Sequence, residues 1–268
     1  MAAGVALAVL GVALPLARRV LSLDALAFWS MLAGLLVAHL VMLRAVDHQP
    51  WSVVGLARAQ SAPSRLVIGL ALGSLGILVP SGALLLAHCL RAEPAPHGAP
   101  WLHVAAGLAA FFLPQSLAEE MLARGYLFSS VRAAIGWPAA LGITSVLFGL
   151  LHLANPGANA RSIGIVMFAG VFLGGVRLAT DSLYAAWMAH FAWNWSMAAL
   201  LHTAVSGMSL AMPDYHVVAT GPDWLTGGAW GPEGGAGAMV GMTAGLAVLV
   251  AWRRRARGIL PHPQRIES

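Results

Sequence analysis

Residues 111–128 read FFLPQSLAEEMLARGYLF, an apolar segment of helix length that contains two adjacent carboxylates, Glu119 and Glu120. Arg124 follows Glu120 by four residues, which is about one turn of an α-helix. Charged side chains are costly inside a lipid bilayer, so ionisable residues found there usually serve a function. The segment therefore predicts a membrane-spanning helix that carries a functional site.

The whole chain has the composition of an integral membrane protein. Hydrophobic residues make up 59% of its 268 residues, charged residues make up 9%, and the mean hydropathy is +0.78. Soluble domains contain roughly 25% charged residues. All fifteen basic residues are arginines in loops or near helix ends, apart from Arg124, and this distribution argues against a nucleic-acid-binding face. The single cysteine, Cys89, excludes an intrachain disulfide.

The apolar runs predict an all-α fold, a polytopic transmembrane helical bundle. Backbone groups in lipid must be hydrogen-bonded within the protein, and the runs are too long for the strands of a barrel. We expect about eight spans, at residues 2–17, 20–43, 66–90, 101–128, 136–154, 162–179, 182–205 and 234–252. No convincing repeat divides the chain, so we interpret residues 1–268 as a single domain with its motif core at 114–194.

The distribution of arginines predicts the orientation of the bundle. Ten arginines fall on one side of the predicted spans and four on the other, and cytoplasmic loops usually carry the excess. The longest loop, Ser206 to Glu233, contains three acidic residues and no arginine. We therefore expect both termini in the cytoplasm and this loop outside. The exclusive use of arginine and the short loops favour the inner membrane of a GC-rich bacterium.

Helical spacing gives the two adjacent glutamates different surroundings. Glu120 and Arg124 stand in the favourable i,i+4 order for an ion pair. Glu119 is then the free carboxylate and a candidate general base. The alternative interpretation is a structural clamp between Glu120 and Arg124, with Glu119 as a bystander.

Two later spans carry further polar residues at the same spacing. Phe148 and His152 share one helix face, and His190 and Asn194 share another. A lone histidine in a membrane helix more often bonds to a neighbouring helix than takes part in catalysis. Here two imidazoles, a neutral amide and a carboxylate together could activate water and stabilise an oxyanion.

The three sequence motifs follow one another along successive spans. EEMLAR at 119–124 matches EExxxR, FGLLH at 148–152 matches FxxxH, and HFAWN at 190–194 matches HxxxN. In this order they resemble the CPBP family of CAAX-protease and bacteriocin-processing (Abi) intramembrane endopeptidases, which is related to the Ras-converting CAAX endopeptidase. The resemblance is strong over residues 114–194.

The resemblance implies an eight-helix endopeptidase that hydrolyses peptide bonds in membrane-anchored or C-terminally tailed protein substrates. Carried over onto the matching positions, Glu119 and His152 would activate water. His190 and Asn194 would stabilise the oxyanion. The supporting residues would be Glu120, Arg124 and Phe148.

The resemblance leaves two mechanisms open. Glu119, His152 and His190 could supply the two histidines and one glutamate of a zinc hydrolase, with one position left for water. No HExxH helix is present, and Asn194 is a poor zinc ligand. We therefore prefer a glutamate-type protease that requires no cofactor, with a zinc metalloprotease as the alternative.

The nature of the substrate follows only in outline. Prenylated CAAX proteins are not expected in a bacterium, so we favour the sorting or maturation of exported proteins, with a membrane-anchored protein or peptide and the lipid bilayer as partners. No nucleic-acid partner is expected. Two alternatives keep the scaffold without proteolysis: a bacteriocin-immunity or peptide-binding membrane protein, and a proton-coupled transporter that uses the same glutamate and histidines.

The positions of Glu119 and His152 along their spans predict their depths in the membrane. His152 comes about 16 residues into the fifth span, and Glu119 comes about 18 residues into the antiparallel fourth span. Straight helices would leave these residues near opposite membrane boundaries, because each residue adds about 1.5 Å. They can meet only if the fourth span is long or tilted, or if the fifth is shifted. Both membrane faces therefore remain candidates for substrate entry.

Overall fold

The structure, a computed structural model, describes residues 23–95, 100–210 and 215–258. Within these ranges the chain forms a helical bundle, which confirms the predicted all-α membrane fold. Its helices are α1 (Leu23–Val41), α2 (Pro63–Leu86), α3 (Trp101–Arg124), α4 (Tyr126–Ile135), α5 (Trp137–Leu151), α6 (Ala160–Thr180), α7 (Leu183–Trp195), α8 (Asp223–Thr226) and α9 (Ala236–Gly258). Two short strands, β1 (Leu90–Pro94) and β2 (Tyr215–Ala219), pair antiparallel.

The predicted spans can be compared with these helices one by one. The span at 2–17 lies outside the described residues, and each of the other seven overlaps a helix. Five helical segments in the described part are long and apolar enough to cross a membrane, with α3 and α4 counted together as Trp101–Ile135. Helix α5 is shorter, and the 13-residue α7 continues into a π-helical turn at Ser196–Leu201. The count of eight is therefore approximate.

The predicted span at 101–128 is divided into two helices in the structure, and the second helix extends beyond residue 128. Helix α3 stops at Arg124, and α4 starts at Tyr126 after a break at Gly125. A Cβ atom at Gly125 would collide with His39 Nε2 and with the carbonyl oxygen of Met121. The backbone N–H of Tyr126 donates to His39 Nε2 at 3.0 Å, so α1 binds the chain where α3 ends.

Helix α7 lies at the centre of the bundle, in contact with α2, α3 and α6. Its closest neighbour is α2, which presents Gly69 and Gly73 to it. Cβ atoms at these two glycines would collide with the carbonyl oxygens of Ala185 and Ala189. Small residues allow such close backbone approach between membrane helices. The approach fixes the position of α7, the helix that carries His190 and Asn194.

We expect Gly73→Ala to destabilise the protein by about 1–3 kcal/mol, since the new methyl group must push α2 away from the backbone of α7. Gly82→Ala on the same helix is the matched control, because a Cβ atom there meets nothing within 4 Å. Thermal unfolding in detergent should show a lower unfolding temperature for Gly73→Ala but not for Gly82→Ala. Equal transitions for both variants would contradict the close packing.

The two ends of the bundle differ in structure. Arg44, Arg65 and Arg132 belong to the end at which α1 stops and α2 begins. The paired strands occupy the other end, together with a segment that we call the loop cap, residues 203–210 and 228–235. The N–H of Gly207 donates to the Trp230 carbonyl at 3.0 Å, which joins the two parts of the loop cap. The orientation of the bundle relative to the cytoplasm stays a prediction.

Candidate active site

A cavity of about 310 Å³ lies inside the bundle and contains the predicted catalytic residues. Its walls come from α1, α3, α5, α6, α7, α9 and the loop cap. Helix α3 contributes Glu119, the residue that caps the C-terminus of α5 is His152, and α7 contributes His190 and Asn194. The structure thus brings all four residues to one cavity.

The turn at Gly136 explains how Glu119 and His152 come together. Gly136 has a φ of 91°, a left-handed conformation that favours glycine, and it joins α4 to α5. It lies 17 residues after Glu119 and 16 residues before His152. The chain from Glu119 to Gly136 and the chain from Gly136 to His152 are therefore nearly equal in length. The fourth span is long, at 35 residues with α4 included, which is one of the arrangements that allows the two residues to meet.

The carboxylate of Glu119 uses its two oxygens differently. Oε1 accepts a short hydrogen bond from Nε2 of Gln115, one turn earlier on α3. Oε2 has no hydrogen-bond partner among the described residues and lies 3.8 Å from Nε2 of His190. This separation exceeds a direct hydrogen bond. One oxygen of Glu119 is therefore buried without a hydrogen-bond partner among the described residues, and the residue as a whole lines the cavity.

Glu120 lies on the interior side of α3, and its carboxylate accepts hydrogen bonds from two side chains. Its Oε1 accepts from Nη1 of Arg124 at 3.0 Å, which forms the i,i+4 ion pair expected from the spacing. The same oxygen lies 3.0 Å from Nδ1 of His190. Because a carboxylate only accepts, Nδ1 of His190 carries a hydrogen. Glu120 thus fixes the ring of His190 with Nε2 directed toward Glu119.

Phe148 packs among the charged and aromatic groups of the site. Its ring centroid lies 4.2 Å from Cζ of Arg124, a cation–π contact. The same ring lies 4.9 Å from the ring of His152 and 5.7 Å from that of His190. Nδ1 of His152 lies 2.8 Å from the Phe148 carbonyl oxygen, and this bond leaves Nε2 as the available atom of that ring. The ring of Phe148 therefore contacts both imidazoles of the site.

Gln115 connects Glu119 with Asn194. Its Oε1 accepts from Nδ2 of Asn194 at 3.4 Å and from Oγ of Ser116 at 3.2 Å. Gln115 lies four residues before Glu119, and this spacing places both side chains on one face of α3.

The loop cap brings a further carboxylate to the cavity, which the sequence reasoning missed. Oε1 of Glu233 accepts from the N–H of Ser206 at 2.5 Å and from its Oγ at 2.7 Å. Oε2 accepts from Nε1 of Trp193 at 3.1 Å, and Nδ2 of Asn155 donates to the Ser206 carbonyl at 3.1 Å. Glu233, Ser206 and Asn155 all line the cavity. No periodic pattern in the loop predicts this long-range contact.

The zinc alternative requires three protein ligands close together. Among the described residues, no three side chains of His, Cys, Asp or Glu lie in a group that could hold a metal ion. Glu119, His152 and His190 line one cavity, but they do not form such a group.

Comparison with known families gives one match. The family model described as Rce1-like, type II CAAX prenyl endopeptidase, matches residues 100–196. This range extends from the start of α3 into the turn after α7, and it includes all four predicted catalytic residues. The match confirms the resemblance drawn from the three motifs, and at the level of the family it supports a membrane protease of the CAAX type. No curated protein and no solved structure matches the chain.

Proposed function

We propose that this chain, which carries an Rce1-like segment at residues 100–196, is an intramembrane endopeptidase. Its substrate is a membrane-anchored or C-terminally tailed protein. The observation that carries the proposal is the convergence of Glu119, His152, His190 and Asn194 in one cavity within apolar helices. These groups have the types needed to activate water and to stabilise an oxyanion.

In the proposed reaction a water molecule is held by the carboxylate of Glu119 and by Nε2 of His152. Glu119 takes one proton as the water oxygen attacks the scissile carbonyl carbon. The oxyanion that forms accepts from an N–H of Asn194, and also from Nε2 of His190 when that ring is an imidazolium. Glu119 then passes its proton to the amide nitrogen, the C–N bond breaks, and a carboxylic acid and an amine are released.

The lining of the cavity supports a substrate with apolar side chains near the cleaved bond. Its apolar residues include Phe112, Leu122, Val166, Leu173 and Met242. We propose that the natural substrates are exported proteins with an apolar C-terminal tail, which the enzyme sorts or matures in a bacterial inner membrane. We further propose that both of its termini are cytoplasmic, as the arginine distribution predicts.

The test uses the purified full-length protein in lipid nanodiscs with two probes. One is a reporter protein with an apolar C-terminal tail, and the other is a farnesylated peptide that ends in Cys-aliphatic-aliphatic-Met. Mass spectrometry of the products should show endoproteolysis of the tailed reporter. Cleavage of the farnesylated peptide alone would support the peptidase activity but contradict the proposed substrate class. Cleavage of neither probe would contradict the proposed function.

The same assay decides between the glutamate and zinc mechanisms. We expect cleavage to continue after treatment with a metal chelator, because each step above uses only side chains of the chain itself. Stoichiometric zinc in the active protein, together with activity that is lost on chelation and restored by zinc, would establish a metalloprotease instead.

A further inference from the structure

Gln115 lies between the two chemical halves of the proposed site. It belongs to α3, lines the cavity and is 5% exposed. Nε2 donates to Oε1 of Glu119, and Oε1 accepts from Nδ2 of Asn194 at 3.4 Å. One side chain thus touches both the candidate base on α3 and the candidate oxyanion donor on α7.

The neighbours of Gln115 permit a single orientation of its amide. The carboxylate of Glu119 can only accept, so the NH₂ end of Gln115 must face it. The carbonyl end then faces Asn194 and Ser116, and each of these must supply a donor to it. The NH₂ group of Asn194 is therefore directed toward Gln115, which also determines how its second hydrogen can point.

We propose that Gln115 is a positioning residue for peptide hydrolysis. Its bond to Oε1 fixes the rotation of the Glu119 carboxylate that holds the attacking water, and its bond to Asn194 leaves the second N–H of that amide for the oxyanion. This inference rests on the proposed function. It differs from a merely structural link between α3 and α7, because loss of a structural link would lower stability without changing the turnover of the folded enzyme.

Correct placement of reacting groups makes a large contribution to rate. An error of about 1 Å in a catalytic group can cost about 100-fold. Glu119 and Asn194 lie on different helices, and Gln115 is bonded to both side chains. Removal of its amide would let each group rotate independently of the other.

The matched pair of variants is Gln115→Leu and Gln60→Leu. Gln60 is similarly buried, at 7% exposure, and its amide donates to the Ser52 carbonyl and to Asp181. It does not line the cavity. Both substitutions remove a hydrogen-bonded buried amide, but only the first touches the proposed site.

With the tailed reporter as substrate, Gln115→Leu should lower kcat about 10- to 100-fold and leave KM within about threefold. Gln60→Leu should lower the unfolding temperature and leave kcat per folded molecule unchanged. If the two variants show the same kcat after correction for the folded fraction, Gln115 is a structural link and the inference is overturned.

A double-mutant cycle with Asn194→Ala tests the pathway of the effect. Because Gln115 acts partly through Asn194, the combined loss should be smaller than the product of the two single losses. Independent, fully multiplicative losses would remove Asn194 from the inference. Glu119→Gln, assayed in parallel, separates the two failures: an active Glu119→Gln enzyme defeats the proposed function, whereas an inactive one with normal Gln115→Leu turnover defeats this inference alone.

Discussion

Glu119→Gln should reduce kcat for cleavage of the tailed reporter about 1000-fold, the loss expected when a general base is removed. The glutamine side chain has nearly the same shape, so the fold and the substrate site should be retained. Its amide cannot take a proton from water. The carboxylate oxygen that faces His190, now unpartnered among the described residues, would become an amide nitrogen or a carbonyl oxygen of much lower basicity.

Glu93→Gln is the matched control for this variant. Glu93 belongs to β1 and lies outside the cavity, so its loss of charge should leave kcat within about twofold, as for most surface changes. Retention of full cleavage by Glu119→Gln would show that Glu119 is a bystander and would defeat the proposed mechanism. Binding of the reporter by both wild type and variant, with cleavage by neither, would favour the peptide-binding alternative.

Arg124→Met should lower the free energy of unfolding by about 3–5 kcal/mol, the cost of leaving a buried charge without its partner. Both members of the Arg124–Glu120 ion pair have fully buried side chains. Arg124 also donates to the Gly170 carbonyl at 3.1 Å and stacks on Phe148. Methionine fills a similar volume but offers no donor, so Glu120 would retain only its bond to His190. Denaturant unfolding in mixed micelles measures the loss.

Arg177→Met provides a comparison with similar chemistry. Arg177 is also buried, but the side chain of its partner Asp181 is 65% exposed, so water can solvate the carboxylate when the arginine is removed. This variant should be less destabilised than Arg124→Met. The double variant Glu120→Gln with Arg124→Met should regain part of the stability, because no unpaired charge remains. Equal losses for the two arginine variants would show that the unpaired carboxylate does not dominate.

The sequence predicted those features that depend on local spacing or on the solvent. Hydropathy gave the helical bundle, because the bilayer admits few other structures. The i,i+4 rule gave the contact between Glu120 and Arg124, which the structure contains at 3.0 Å. The three motifs supplied the four residues that meet in the cavity, although their catalytic roles stay predictions.

The features that the sequence did not predict depend on tertiary contacts. At the break, Gly125 and Tyr126 contact His39 on another helix, and the apolar pattern of the sequence continues across this position. The bond between Glu120 and His190 requires α7 to pack on α3. Glu233 reaches the cavity through the fold of the loop cap, and its acidity alone suggested only an exposed loop.

The different directions of Glu119 and Glu120 also bear on how α3 is rotated about its axis in the bundle. Successive residues of a helix differ in direction by about 100°, so a misfolded chain with α3 rotated by one residue would carry Glu119 into the apolar interior. The ion pair within α3 would rotate with the helix, but Glu120 would lose its bond to Nδ1 of His190 and Arg124 its bond to the Gly170 carbonyl. The bonds of this pair to α6 and α7 therefore favour the observed rotation of α3, because the rotated helix would leave buried charges without these partners.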